Sequence, residues 1–346
     1  MKKLIVSKSI KERKMYSIVK DKTIKVLKVC LSLILILSMV VGMTACTGNT
    51  GEETDSIDTI VEETAKMLLD NTDEPVYGSV GGEWVVLGMA RWGGEVPEGW
   101  FEDYYAGLED YVKQCNGVLD ERKYTEYSRV ILALTAMGKD PANVAGYNLL
   151  TPLGDYDKTI FQGINGPIVA LLALDSGDYE VPVNSEAEVQ ATREMYVDYI
   201  LEQELDNGGW SFSGGSLDVD ITAMALQALA KYQDREDVKL ATDRALDALS
   251  QQQNENGGFA TSGADSSESL AQVITAFAEL GIDINDERFV KEGNAVVDAL
   301  LHFRTDDKGF AHILEGNSDA MATEQAFYAL VSLNRVQSGQ SSLYRM

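Results

Sequence analysis

One phrase recurs three times in the second half of the chain. It reads Asp206-Asn207-Gly208-Gly209-Trp210, then Glu255-Asn256-Gly257-Gly258-Phe259, then Asp307-Lys308-Gly309-Phe310. The glycines before the aromatics, Gly209, Gly258 and Gly309, stand 49 and 51 residues apart. A fixed period of this length means one supersecondary unit repeated, so the architecture is set before any site is. An amphipathic stretch leads into each phrase and a more apolar one comes after it. Each unit therefore reads as helix, Gly-rich turn, helix.

The apolar, Ala-rich member of the pair occurs six times, over residues 83–92, 124–137, 165–176, 220–232, 267–280 and 320–334. More polar helices are expected over 58–69, 101–114, 191–204, 238–252 and 289–303, with a short one around 141–150. In 238–252, Asp243, Arg244 and Asp247 occupy one face and Ala245, Leu246 and Leu249 the other. A helix that is apolar all round must be covered on both sides. Two concentric rings satisfy that, with apolar helices inside and amphipathic ones outside. The expected fold is all-α: an α/α toroid of six helical hairpins over 57–346. An open solenoid is the alternative; outer helices polar on one face only favour the closed ring.

The first 45 residues read as a leader. They hold ten of the 29 basic residues and two of the 55 acids, Glu12 and Asp21. Residues 29–45 are uncharged but number only 17, short of a spanning helix and suited to an export signal. The segment closes on Met43-Thr44-Ala45-Cys46, which resembles a bacterial lipobox and makes Cys46 the lipid acceptor. Residues 46–56 read as a polar tether. The chain is thus expected to be held to the membrane by its lipid, on the extracytoplasmic face. Beyond the leader the chain carries 19 bases and 53 acids, a net charge of −34. Such a surface repels phosphate backbones, so nucleic acid is not an expected partner. Cys115 is left without a disulfide partner, and with only His302 and His312 no zinc cage is expected. The Asn/Asp-Gly turns lack the ligand spacing of a calcium loop, so no metal or cofactor is expected.

Helices, period and Gly-Gly-aromatic turns together make the chain resemble the prenyltransferase/squalene-oxidase repeat family, whose fold is the α/α toroid. Gln203 to Trp210 and Gln253 to Phe259 are similar to that family's Gln-to-Trp turn. The resemblance is strongest over 196–335. The family includes terpene cyclases, protein prenyltransferase subunits, thioester domains and cobalamin carriers, so the fold does not choose a function. No Cys follows Cys115, which removes the prenyltransferase zinc site, and Thr323-Glu324-Gln325 has no neighbouring Cys for a thioester.

The sharpest motif is Leu217-Asp218-Val219-Asp220-Ile221-Thr222-Ala223. It is similar to the Asp-x-Asp-Asp-Thr-Ala signature of class II terpene cyclases, and the resemblance puts Asp220 at the position of the protonating acid. Ile221 stands where that signature has another Asp. Protonating carbon needs a desolvated, unusually strong acid. A local reading stands beside it: Asp218 or Asp220 caps the helix, with Thr222 assisting. Asp265-Ser266-Ser267-Glu268 reads as a capping box in the next unit. Asp220, Glu268 and Glu324 all fall early in inner helices and ring one mouth of the toroid. With Asp218, Thr222 and Tyr124 they form the expected ligand-binding set. The expected function is capture of a small or apolar ligand, or of a surface protein, without catalysis. The alternatives are a cyclase-like enzyme using Asp220 and a purely structural module. An open cavity would favour binding or catalysis; a centre filled by side chains would favour interaction.

Overall fold

Short polar side chains start the helices. Ser56, Thr192, Asp218, Ser266 and Asp319 each accept a hydrogen bond from a free N–H of the first turn, satisfying donors that no carbonyl can reach. The computed structural model describes residues 55–346 apart from 73 and 262. The export signal and Cys46 lie outside the described residues. Among those described, no helix is long and apolar enough to cross a membrane.

The outer helices are α1 (Ile57–Asn71), α3 (Trp100–Gln114), α6 (Arg193–Glu202), α8 (Glu236–Gln252) and α10 (Val296–Leu301). The inner ones are α2 (Trp84–Trp92), α4 (Thr125–Ala136), α5 (Asn165–Ser176), α7 (Val219–Leu229), α9 (Ser267–Leu280) and α11 (Ala320–Gln337). Contacts run α2 to α4, α4 to α5, α5 to α7, α7 to α9, α9 to α11 and α11 back to α2. The inner ring is closed, so the open solenoid is excluded. Helices α6, α8 and α10 pack outside α5, α7 and α9, and α1 packs on α11. The first outer helix therefore covers the last inner one.

The repeated phrase bolts turn to inner helix in two of the three units that carry it. Gly209 sits at φ +76°, and a Cβ there would lie 2.6 Å from Leu217 Cδ1. Trp210 is fully buried, and its Nε1 donates to the Ile200 carbonyl at 2.7 Å. Thr222 Oγ1 accepts from Trp210 N at 2.9 Å and donates to Trp210 O at 3.0 Å. Thr323 and Phe310 repeat this pair at 2.9 and 3.3 Å. The turn aromatic is thus tied to the inner helix that comes next.

Two expected outer helices do not form as read. Residues 289–303 break at Lys291–Asn294, where Glu292 and Gly293 take φ of +48° and +88°. Residues 141–150 make the same device, with Ala145 at +53° and Gly146 at +90° between bridged Val144 and Tyr147. Positive φ at both central residues is a tight reversal, which a helix cannot contain. After it, before α5, come only short 3-10 turns at Thr151–Gly154 and Ile160–Gln162 and one helical turn at Tyr156–Thr159.

The axis of the ring is filled where the inner helices end. Tyr344 and Leu343 are buried there. Tyr344 N and Ser342 Oγ donate to the Glu279 carboxylate at 3.0 and 2.6 Å. Met346 N donates to Ser176 O, and Arg91 donates to the Ser342 and Arg345 carbonyls. The C-terminal segment ties the ends of α2, α5, α9 and α11 together.

Candidate functional site

At the opposite end, where the inner helices begin, acidic side chains gather. Asp218 is the N-cap of α7: its Oδ1 accepts from the amides of Asp220 and Ile221 at 3.0 and 3.1 Å. Of the two acids read as possible caps, this one holds the role, which leaves Asp220 without it. Asp220 meets the Ser269 hydroxyl on α9, yet its Oδ1 is buried with no hydrogen-bond partner. Burial raises the Asp220 pKa first. The Ser269 hydrogen bond and His312 oppose that, while Asp218 and Glu268 add to it.

Glu268 does not complete a capping box. Ser266 caps α9 alone, and its hydroxyl donates to Glu268 Oε2 at 2.9 Å. The Glu268 carboxylate instead faces His312 Nδ1 at 2.8 and 2.9 Å. Facing a carboxylate, Nδ1 carries the ring proton. The His312 side chain is 61% exposed and Glu268 is buried, so the pair links solvent to the mouth. Glu324 lies a turn inside α11. Its Oε1 accepts from Gly81 N at 2.7 Å, a contact from the loop that enters α2. Burial raises its pKa to about 7; the Gly81 N–H opposes this and Asp319 adds to it.

A polar stripe runs below these acids. On α9, Glu268, Gln272, Thr275 and Glu279 recur at helical spacing and are all buried. Gln272 Nε2 donates to Tyr328 Oη at 2.7 Å and to Gln325 Oε1 at 2.9 Å. Gln227 Nε2 donates to Gln272 Oε1 at 2.9 Å. Tyr328 is buried, lies tilted against Trp84 with ring centroids 5.8 Å apart, and senses the charges of Asp220, Glu324 and Glu268. The inner helices are apolar in bulk but present amides and a phenol toward the axis.

Asp220, Glu268 and Glu324 are therefore brought to one end, each within electrostatic reach of Tyr328. Thr222 belongs to the Trp210 bolt instead. Tyr124 is elsewhere: it packs edge-on against Tyr127 at 5.3 Å, with Lys158 Nζ 5.9 Å over its ring. It lines an outer cavity of about 710 Å³ with Tyr127, Tyr147 and Lys158. It stands one residue before α4 and is buried.

Several groups at this end escaped the sequence reading. Glu83 is fully buried and accepts from Arg129 Nε at 2.7 Å and Tyr104 Oη at 2.9 Å. Burial raises its pKa, and Arg129 opposes that. An arginine before Val130-Ile131-Leu132 was the available signal, since a buried cation requires an anion. His312, Gln272 and Tyr328 gave no local pattern. Among the described residues, no group of His, Cys, Asp and Glu is placed to hold a metal.

No protein-family profile and no curated protein matches the sequence. Solved structures do resemble the fold. An unsaturated glucuronyl hydrolase from a Bacillus species shares 11% identity, with 84% of this chain and 99% of that one covered and a TM-score of 0.54. A type II terpene cyclase from Scytonema shares 14%, over 80% and 97%, with a TM-score of 0.52. The Candida albicans protein geranylgeranyltransferase-I, complexed with GGPP, shares 13%, over 80% and 92%, with a TM-score of 0.51. At such identities the likeness speaks for architecture alone. The chain has the α/α toroid fold.

Proposed function

We propose that the chain is an extracytoplasmic, lipid-anchored toroid that binds a small ligand at the mouth where its inner helices begin. The observation that carries this is Asp220 Oδ1, buried and without a partner while the neighbouring Asp218, Glu268 and Glu324 are all engaged. An unpaired buried oxygen costs about 1–3 kcal/mol, and a hydroxyl or amine of a bound ligand relieves it. Below the mouth the axis is occupied by Tyr328, Gln272, Gln227 and Tyr344, a filled centre of the kind expected for an interaction role, which leaves only the mouth for a ligand. The ligand therefore rests in the mouth with its polar group toward Asp220 and does not thread the ring. The GGPP named with one similar structure supports an apolar body for that ligand.

Native mass spectrometry tests the reading. Protein from Thr47 onward is incubated with a bacterial lipid extract, polyprenyl diphosphates and cobalamin. A retained, chemically unchanged mass is expected, bound at least tenfold more weakly by Asp220→Ala. Failure of all three mixtures to leave a bound mass counts against it.

One observation favours a second reading, acid catalysis. Burial raises the pKa of both Asp220 and Glu324, the latter to about 7, so Glu324 is placed to exchange a proton near neutrality. Two of the similar structures are a cyclase and a hydrolase by name. The same incubation separates the readings. A product of unchanged mass but altered retention time, abolished in Asp220→Asn, makes the chain an enzyme.

A further inference from the structure

We infer that a cleft between the starts of α4 and α5 is a second ligand site, for a flat ring that carries an anionic group and a hydrogen-bond donor. The cleft has a volume of about 620 Å³, and Arg122, Lys123, Phe161, Gln162, Asn165 and Phe212 are among the residues lining it. The cleft opens at the same end of the ring, but none of Asp220, Glu268 and Glu324 lines it, so it is separate from the Asp220 site and does not depend on that reading.

Three observations fix the ligand chemistry. The first is aromatic. Phe161 and Phe212 are 57% and 62% exposed, and they are the aromatic members of the exposed large hydrophobics among the described residues. They come from different units of the chain, yet both face this one cleft. The Phe161 backbone is anchored. Gln162 Oε1 accepts from Thr125 N at 3.1 Å, holding the Ile160–Gln162 turn to α4. Phe212 lies two residues beyond the bolted Trp210. Exposed rings offer flat faces to stack on.

The second is charge. Arg122 and Lys123 take part in no ion pair among the described residues, and the Arg122 guanidinium lies 4.4 Å over the Phe161 ring centroid. Asp120, which also lines the cleft, is turned onto the backbone. Its Oδ1 accepts from the amides of both Arg122 and Lys123 at 2.8 Å. In a chain with 55 acids and 29 bases, two adjacent cations left to solvent are a place for an anion. The third is at the floor. Asn165 Oδ1 is buried and unpartnered, so it accepts from a donor on whatever fills the cleft. A flat ring between the phenylalanines, with its anion toward Arg122 and Lys123 and its donor toward Asn165, answers all three.

The probe is 6-hydroxy-2-naphthoate, titrated calorimetrically into the full chain. Saturable binding with a stoichiometry of one is expected. Removing the carboxylate (2-naphthol) or the hydroxyl (2-naphthoate) is expected to weaken it about tenfold. Phe212→Ser and Arg122→Gln, both on exposed side chains, should weaken it at least tenfold at unchanged Tm. Asp220→Ala should leave it unchanged. Absence of saturable binding, or equal affinity in Phe212→Ser and wild type, overturns the inference. Loss in Asp220→Ala with retention in Phe212→Ser also overturns it, because the ring would then sit in the mouth.

Discussion

At the scale of single residues, the mouth is a place where carboxylates are held out of water. Glu324 makes the consequence measurable. Its pKa in the folded chain is raised to about 7 from an ordinary 4.5, so the folded state holds this proton more tightly than the unfolded one. Its contribution to stability is complete below the ordinary value and is lost as pH rises through about 7, on the order of 3 kcal/mol in all. Glu324→Gln keeps an acceptor for Gly81 N and removes the titration. Thermal melts from pH 5 to 8 should show wild type losing more Tm than Glu324→Gln; parallel curves would contradict the assignment. Thr222 gives a second test. Thr222→Val leaves Trp210 N unpaired in a buried site and should cost about 1–3 kcal/mol in urea unfolding, whereas Thr222→Ser should stay near wild type. The cap at Asp218 was legible in sequence because capping is local. The contacts of Glu268 with His312 and of Glu324 with Gly81 span 44 and 243 positions. No spacing rule reaches that far, so the partners that give these acids their character stayed hidden.

At the scale of elements, the Gly-rich turn is what each hairpin cannot lose. Gly209→Ala combines a positive φ with a Cβ pressed against Leu217 and Thr222, and is expected to destabilise by more than about 1 kcal/mol. Gly214→Ala, also at positive φ but with open space around it, isolates the backbone part. A smaller effect at Gly209 than at Gly214 would show that the turn has slack. Helix periodicity read the inner elements closely: 165–176 and 267–280 match α5 and α9, and the other four match within a few residues. The failures at 141–150 and 289–303 share one cause. Ala145 and Glu292 are not turn-favouring residues, yet each takes a positive φ beside a glycine. Composition alone made those stretches look helical.

At the scale of the whole molecule, the ring has two different ends. One is sealed by the C-terminal segment through Glu279, Arg91 and Ser176; the other holds the unpaired acid. Tyr344→Ala empties the sealed end and should cost about 3 kcal/mol, read by thermal or urea unfolding. No loss would mean the segment rests on the ring without supporting it. The closed ring was legible from six repeated units, but the filling of its axis was not. That depends on Tyr328, Gln272 and Tyr344 meeting from distant parts of the chain, which no local pattern encodes. The most direct test is hydrogen–deuterium exchange with and without the ligand retained in native mass spectrometry. Protection is predicted at amides of 219–224 and 267–272, with 341–346 unchanged. Protection confined to the outer helices or to 341–346 would contradict a ligand site at Asp220.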